Sequence, residues 1–318
     1  MRGFELSYNE EMNEIHIPVL LSSTIEYLAP KPGESYLDLT AGYGGHADKI
    51  LEVTQDYNAA VLNDRDQNAI DYLNAKYQKK KPNLLHNDFY STALQLVENN
   101  KKFDIILADF GVSSPQLDKE ERGFSFSKPA RLDMRMDQSQ ELDAWRVINK
   151  WRESELTDIF VRYGEEKPGR AKMLAREIVT HRPIDTTTEL AELIRHKSPF
   201  SHTHPATKIF QAVRIVVNDE LGEIERTLPL LPKLLNPGGR VGIISFHSLE
   251  DRLVKDYFKE ASDKGIESEL KILTKKPIVA DAAELVNNPR ARSAKLRVCR
   301  KALDGRLEVS NIFAYREK

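Results

Sequence analysis

The sequence predicts an α/β fold in which a parallel sheet is interrupted by a helical insert. Apolar strand-like runs alternate with helical periods up to Asp109 and again after about Phe210, as in parallel sheets with crossover helices. Between Asp118 and Phe210 the alternation stops and helical spacing replaces it. We therefore expect a discontinuous α/β domain of residues 1–117 and 211–318, and an inserted helical domain of residues 118–210.

Composition limits the class of protein. The chain has 318 residues, of which 40% are hydrophobic and 30% charged, so it can bury a core and stay in solution. No run approaches the roughly 20 apolar residues of a membrane helix, and the polar N-terminus is no secretory signal. Cys299 stands alone, which excludes a disulfide framework and a thiolate cluster. We expect a cytoplasmic protein that contacts no membrane and binds no metal.

Five strands are expected where apolar runs are bounded by turn residues, at residues 36–41, 59–64, 83–87, 103–109 and 239–246. The fourth run is almost continuously apolar, as in strands covered by helices on both faces. A helix reaching Leu28 precedes the first strand, because Pro30, Pro32 and Gly33 end the helical pattern there.

Apolar periodicity predicts the helices of the insert. Leu156, Ile159 and Phe160 recur at helical spacing, and Thr186 with Glu189 forms a capping box ahead of another helix. The insert grows from the end of a strand, where ligands bind in open α/β sheets. It is therefore well placed to select a substrate, although a helical subdomain without that role fits the same pattern.

A glycine-rich turn follows the first strand. Gly42, Gly44 and Gly45 lead directly into a helical pattern, and a strand, glycine turn and helix in that order form a nucleotide-type ligand site. Asp64 lies twenty positions after Gly44, at the end of the second strand, where a carboxylate can hold a ribose diol. A purely structural glycine turn is the alternative.

The turn predicts what kind of ligand would bind. Its spacing departs from the dinucleotide fingerprint G-x-G-x-x-G, because His46 and Asp48 follow the glycines. The carboxylate of Asp38, within the first strand, would repel a pyrophosphate. It suits a ligand that carries a positive charge, such as the amino group of S-adenosylmethionine.

A second set of polar residues follows the fourth strand. Asp109 begins a turn that contains Ser113, Ser114, Pro115 and Gln116. Because the carboxyl ends of parallel strands meet at one edge of a sheet, we expect this turn to lie beside the glycine turn.

These motifs resemble those of the bacterial 16S ribosomal RNA cytosine-N4 methyltransferase family of the RsmH/MraW type. The series DLTAGYGGH, DFGVSSPQLD, YGEE, HPATKIFQAVRI, SFHSLEDR and NPRARS carries the resemblance, which covers residues 16–300 in unbroken order. The match departs at Asn63, where an apolar residue is usual.

The resemblance implies a fold, a reaction and a partner. The fold would be a class I, Rossmann-like methyltransferase sheet with an inserted all-α domain. The reaction would be S-adenosylmethionine-dependent methylation of the N4 amine of one cytidine in the decoding region of 16S ribosomal RNA, with the small ribosomal subunit as the partner. The oligomeric state stays open, and a homodimer is one alternative.

The resemblance also implies site residues. Together with Asp38 and Gly42, the cofactor contacts would be Gly44, Gly45, His46, Asp64, Phe89, Asp109 and Gln116. Asp109, Ser113, Ser114 and Pro115 would form the catalytic turn, in which polar acceptors orient the amine and the proline stiffens the backbone. Asp109 could instead bind only the methionine part of the cofactor.

Candidate substrate residues carry alternatives of their own. Phe124 and Phe126 would grip an unstacked base, or anchor their loop to the core. His247 would contact substrate or order a loop, or be structural. Arg290 and Arg292 lie in a stretch with six basic residues and no acid between Asn288 and Lys301, which would bind phosphate or protect a solvated strand edge.

Three rival functions remain. The first keeps the cofactor but changes the acceptor to DNA or another RNA amine. The second is a ribosome-assembly factor that has lost catalysis, and the intact Gly44, Asp64, Asp109 and Gln116 weigh against it. The third is a nicotinamide dehydrogenase, which the glycine spacing and Asp38 disfavour.

Overall fold

A computed structural model describes residues 18–111, 120–197, 204–263, 265 and 268–303. One seven-stranded sheet runs through it in the order β3-β2-β1-β4-β5-β7-β6. Strands β1 to β5 are parallel, whereas β7 is antiparallel to both of its neighbours. The strands are β1 Tyr36–Asp38, β2 Ala60–Asp64, β3 Asn83–His86, β4 Phe103–Asp109, β5 Leu235–Ser245, β6 Leu270–Ile272 and β7 Lys295–Lys301.

Helices alternate with the parallel strands and form a separate group between β4 and β5. The first four are α1 Leu21–Leu28, α2 Gly45–Thr54, α3 Gln67–Lys76 and α4 Phe89–Glu98. The next six are α5 Ala144–Lys150, α6 Glu153–Arg162, α7 Pro168–Thr180, α8 Thr187–His196, α9 Ala206–Asn218 and α10 Glu220–Thr227. The last three are α11 Leu231–Leu234, α12 Ser248–Ser262 and α13 Ala282–Asn287. No helix in these ranges combines the length and apolarity that crossing a bilayer requires.

The chain divides into two compact units. One, the sheet unit, contains residues 1–110 and 227–318, and the other, the helical unit, contains residues 111–226. The expected boundary at 210/211 is wrong, because it cuts through α9. Phe210, Val213 and Val217 on α9 belong to the same hydrophobic cluster as Phe160 and Leu174, so the whole of α9 packs with the helical unit.

The five predicted strands are present, with shifted ends. β1 ends at Asp38 rather than at residue 41, and β5 begins at Leu235 rather than at residue 239. Within residues 120–197 and 204–226 there is no strand, and one isolated bridge joins Arg131 to Thr186. The predicted capping box of Thr186 and Glu189 begins α8.

Strands β6 and β7 were not predicted, and the interpretation of the basic stretch as a protected edge is wrong. β7 is hydrogen-bonded to β5 on one side and to β6 on the other. Arg297 is buried and donates to Asp251 at 2.6 Å, and Lys295 lies 3.4 Å from the same carboxylate. Both cations hold the pKa of Asp251 below its usual value. Of this stretch, Arg290 and Arg292 are exposed.

The sheet order positions a site at one edge. β1 lies between β2 and β4, so the chain turns to opposite sides of the sheet after β1 and after β4. Ligands bind at such a switch point, outside the carboxyl ends of the strands. Because β7 runs antiparallel and Ser245 pairs with Lys295, the segment that precedes β7 also lies at this carboxyl edge.

Arg240 closes the opposite end of the sheet. Its guanidinium donates to the carbonyls of Leu28 and Ala29 at 2.7 and 2.8 Å and forms a two-bond pair with Glu34 at 2.6 and 2.8 Å.

We expect Arg240→Met to lower the free energy of unfolding by about 3 kcal/mol, because breaking a mostly buried pair leaves a charge uncompensated. Urea titration measures this. Arg162→Met, in an exposed pair, should change stability by less than about 1 kcal/mol, and equal losses would contradict the assignment.

Candidate active site

The glycine turn joins β1 to α2, and two of its glycines have positive φ. Gly42 has φ +53° and Gly44 has φ +80°, conformations that side chains other than glycine rarely adopt. A Cβ on Gly42 would meet open space, whereas one on Gly45 would lie 2.5 Å from Pro18. Gly44 precedes α2 and offers no side-chain cap, so N–H groups at the start of α2 are available to a ligand.

Asp64 supports the turn from β2. Its carboxylate accepts from the N–H of Gly42 at 2.7 Å and from the N–H of Asp66 at 2.8 Å. These bonds leave further lone pairs on a side chain that is partly exposed, as a ribose contact requires. Burial raises the pKa of Asp64 to about 6, against the lowering effect of these backbone bonds.

Asp38 lies deeper than Asp64. It is 2% exposed, and it accepts from the hydroxyl of Tyr36 at 2.6 Å and from the N–H of Thr40 at 3.1 Å. Burial raises the pKa of Asp38 to about 7, with a smaller contribution from the charge of Asp64. Asp38 therefore acts on a ligand through its charge and through Thr40 more than by direct contact.

Asp109 ends β4 at the same edge. Its N–H donates to the hydroxyl of Thr40 at 2.6 Å, and its Oδ1 is buried with no hydrogen-bond partner. Burial raises the pKa of Asp109 well above its usual value, and the charges of Asp38 and Glu250 raise it further. A buried carboxyl oxygen without a partner is costly, so the geometry indicates a ligand group that hydrogen-bonds here.

His46 and Phe89 frame this edge. His46 is 7% exposed, its Nε2 is 3.0 Å from the carbonyl of Val19, and its Nδ1 is 3.8 Å from Asp109. Phe89, the first residue of α4, lies with its ring centroid 5.3 Å from that of Phe110 and is partly exposed. The structure thus brings together the predicted residues of the strand ends and the glycine turn.

Other predicted residues lie elsewhere. His247 caps α12, where its Nδ1 accepts from the N–H of Glu250 at 3.4 Å, so its position fits the loop-ordering role. Phe126 packs 4.6 Å from the His204 ring and 4.8 Å from the Phe210 ring, and Phe124 packs on the same cluster of the helical unit. Such packing favours the anchoring interpretation for both phenylalanines. Ser113, Ser114, Pro115 and Gln116 lie outside the described residues.

Sequence reasoning missed Thr40 and misjudged Asn63. Thr40 ties the end of β1 to Asp109, and the available signal was a hydroxyl between Asp38 and the glycine turn. Asn63 is buried, donates to the carbonyls of Leu39 and Asn87 at 2.9 and 3.1 Å, and accepts from Thr92 at 2.7 Å. Asn63 departs from the usual apolar residue because it cross-links three segments at this edge.

The donor and acceptor set fits a cationic cofactor. Within the described residues, no lysine or arginine pairs with Asp38, Asp64 or Asp109. Three acids with raised pKa values at one edge favour a ligand that brings its own positive charge. S-adenosylmethionine carries an ammonium and a sulfonium, and its ribose would match Asp64.

Lys76 was also missed, and it holds the outer side of the turn. Its ammonium donates to the carbonyl of Tyr43 at 3.2 Å and to Asp48 at 2.5 Å.

We expect Lys76→Met to raise the dissociation constant of S-adenosylhomocysteine about tenfold, since the loss of a charged hydrogen bond makes the glycine turn less rigid. Calorimetry measures this. Lys80→Met removes a nearby ammonium that bonds Tyr57 instead, and it should leave the constant unchanged.

Fold and site together define a Rossmann-like, class I methyltransferase. A profile of the MraW methylase family matches residues 13–302. The chain therefore belongs to the MraW methylase family, and its methyl donor is S-adenosylmethionine.

Curated relatives are similar over nearly the whole chain. The ribosomal RNA small subunit methyltransferase H of Nostoc punctiforme is 47% identical over 304 residues, covering 92% of this chain and 96% of the relative. The protein of the same name from Synechocystis is 45% identical, covering 93% and 97%. That of Acidobacterium capsulatum is 44% identical, covering 91% and 99%.

Proposed function

We propose that this enzyme transfers the methyl group of S-adenosylmethionine to N4 of one cytidine in the decoding region of 16S ribosomal RNA. The observation that carries the proposal is the edge where Asp109, Asp64 and the glycine turn meet, within a chain of the MraW methylase family. The names of the relatives specify small-subunit ribosomal RNA as their substrate class.

The chemistry requires positioning more than acid–base power. The cofactor, held by the residues named below, would supply a methyl group activated by its sulfonium. Transfer to N4 would leave S-adenosylhomocysteine, and the proton that N4 gives up would pass to solvent. Asp109 holds the ammonium or the amine at the end of β4, and Thr40 fixes its backbone at 2.6 Å. Ser113 and Ser114 accept an N–H of the amine, and Pro115 restricts the turn. Orientation of this kind can contribute about 7–11 kcal/mol to lowering the barrier.

Cofactor contacts complete the proposal. Gly42, Gly44, Gly45 and the start of α2 approach the methionine part, together with His46 and Gln116. Asp64 would hold the ribose of the cofactor, and Phe89 would lie against its adenine base. The helical unit selects the RNA, and His247 orders the loop after β5.

Arg290 and Arg292 are proposed to bind RNA phosphates. Both lie exposed just before β7, at the carboxyl edge of the sheet. We expect the double change to Gln to weaken RNA binding and to reduce the slope of log K against log salt by about 1.4 for single-stranded RNA. Filter binding at several salt concentrations measures this. Lys271→Gln with Lys275→Gln removes the same charge elsewhere, and equal effects from both pairs would refute a specific contact.

Methyl transfer from labelled S-adenosylmethionine tests the function. The acceptors compared are small subunits lacking the modification, free 16S RNA and DNA, and the labelled nucleoside is identified by mass. N4-methylcytidine at one site is the expected product. Label in DNA or in another nucleoside would overturn the acceptor, and tight cofactor binding without transfer would favour an assembly factor.

The particle is the proposed substrate, and the same assay compares it with free RNA. Because such particles assemble in the cytoplasm, the proposal also places the enzyme there. A homodimer remains part of the proposal, and sedimentation of the enzyme alone and with particles tests it.

A further inference from the structure

Acids partner many of the arginines in the helical unit. Seven arginines there lie within 3.5 Å of an acid: Arg131 with Asp143, Arg135 with Asp133, Arg146 with Glu141, Arg162 with Asp158, Arg170 with Glu166, Arg214 with Glu220 and Arg226 with Asp219. An exposed cation without an acid partner is available to an anion from outside the protein.

The exposed side of α7 carries two such cations close together. This helix buries one side in the core of the helical unit, through Ala171, Leu174, Ala175 and Ile178. Its exposed side, here called the basic face of α7, consists of Pro168, Gly169, Lys172, Met173, Arg176 and Thr180. Within the described residues, the side chains of Lys172 and Arg176 form no ion pair and no hydrogen bond.

The acids nearest in sequence do not compensate these charges. Glu177 lies 3.1 Å from Lys197 and 3.7 Å from His181, and Glu166 is engaged by Arg170 at 3.2 Å. Lys172 and Arg176 are four positions apart, so two like charges are neighbours on the helix surface, which is unfavourable for a free helix. An external anion would remove this repulsion.

The apolar part of the face suits RNA. Met173 has 38% of its surface exposed and lies between the two cations in sequence. Lys167, at the N-cap of the same helix, is also exposed and adds a third positive charge. Phosphates bind such cations with release of counterions, while a flexible thioether can pack against a sugar or a base.

We propose that the basic face of α7 binds the phosphate backbone of the RNA substrate and thereby helps the helical unit to position the RNA. This inference rests on the proposed function and assigns RNA-contacting residues within the insert. RNA is favoured over an acidic protein surface because the curated relatives are named as ribosomal RNA methyltransferases.

The test is the double variant Lys172→Gln and Arg176→Gln, with a 16S RNA fragment that spans the decoding region as the probe. The expected result is about tenfold weaker binding at 0.1 M salt, and a salt slope reduced by about 1.4 for single-stranded contacts. S-adenosylhomocysteine affinity and the thermal transition, measured on the same preparations, show whether the variant is folded.

A matched control removes two paired charges from the same unit. Arg146→Gln with Arg162→Gln changes side chains that are 53% and 62% exposed and already paired with acids. If both double variants alter the salt slope equally, the basic face has no special role. If the Lys172 and Arg176 double variant binds particles more weakly but binds the RNA fragment as the unmodified enzyme does, the basic face contacts a ribosomal protein. That result would overturn the RNA assignment. Absence of cytidine methylation by the unmodified enzyme would instead refute the proposed function.

Discussion

Asp109→Asn is expected to lower kcat/KM for S-adenosylmethionine about 100-fold, because the loss of a charged hydrogen bond in a buried site removes about 1.5–3 kcal/mol. The Oδ1 atom of Asp109 is buried without a hydrogen-bond partner, and the backbone of Asp109 is fixed by Thr40. Asparagine has nearly the same shape as aspartate but cannot carry its negative charge. Initial rates at varied cofactor concentration measure this effect. A change in KM alone would assign Asp109 to cofactor binding, and a change in kcat would assign it to the acceptor.

Asp104→Asn is the matched control. Asp104 is the second residue of the same strand and lies at the opposite edge, where it accepts from Ser35 at 2.7 Å and from Asn236 at 2.9 Å. These bonds hold the pKa of Asp104 below its usual value. The control should reduce stability and leave the affinity for the cofactor unaltered. Equal kinetic losses from both variants would mean that Asp109 is only structural.

Cofactor affinity is expected to rise strongly with pH. The pKa of Asp64 is raised to about 6 and that of Asp38 to about 7, so both carboxyls are largely protonated at pH 5 and cannot attract a cation. Binding of the cationic cofactor requires both carboxyls to lose their protons, so its affinity rises as the pH rises. We therefore expect the dissociation constant of S-adenosylmethionine to fall about 30-fold between pH 5 and pH 7.5. S-adenosylhomocysteine lacks the sulfonium charge and should show a weaker dependence. Calorimetry across this range measures both ligands.

Stability should show the opposite sign. A carboxyl whose pKa is raised on folding binds more protons in the folded state, so its contribution is largest at low pH and is lost as pH rises from about 4 to 7. Asp64→Asn should therefore flatten both the affinity profile and this part of the stability profile. An affinity profile equal to that of the unmodified enzyme would show that Asp64 does not face the cofactor.

Sequence patterns predicted the parallel part of the sheet because each strand was bounded by local signals. The run that contains Asp38 leads into Gly42 and Gly44, both of which have positive φ, and Asp64 ends the next strand. The turn and both acids therefore lie together as the patterns indicated. Asn63 shows the limit, since its three partners come from segments that periodicity cannot bring together.

The features that the sequence did not predict depend on contacts between residues far apart in the chain. β7 was not predicted because its sequence is rich in basic residues, which are uncommon in a buried strand. The charge of Arg297 is neutralised there by Asp251 on α12, 46 positions away, and no local pattern shows this pairing. α9 has a helical period that fits either unit, and only its packing on Phe160 and its neighbours assigns it to the helical one. His247 carried a functional signal, yet its imidazole caps a helix.

The reversed strand β7 has a consequence for the order in which the site is made. The N–H of Leu20 donates to Glu284 at 2.5 Å across 264 positions, and the carbonyl of the preceding Val19 contacts His46. The glycine turn emerges early in translation, but the acceptor for Leu20 and the strand that flanks β5 are synthesised much later. We therefore expect cofactor binding at full strength only in chains that include residues 284–301, so the site would be completed late in translation although the glycine turn emerges early.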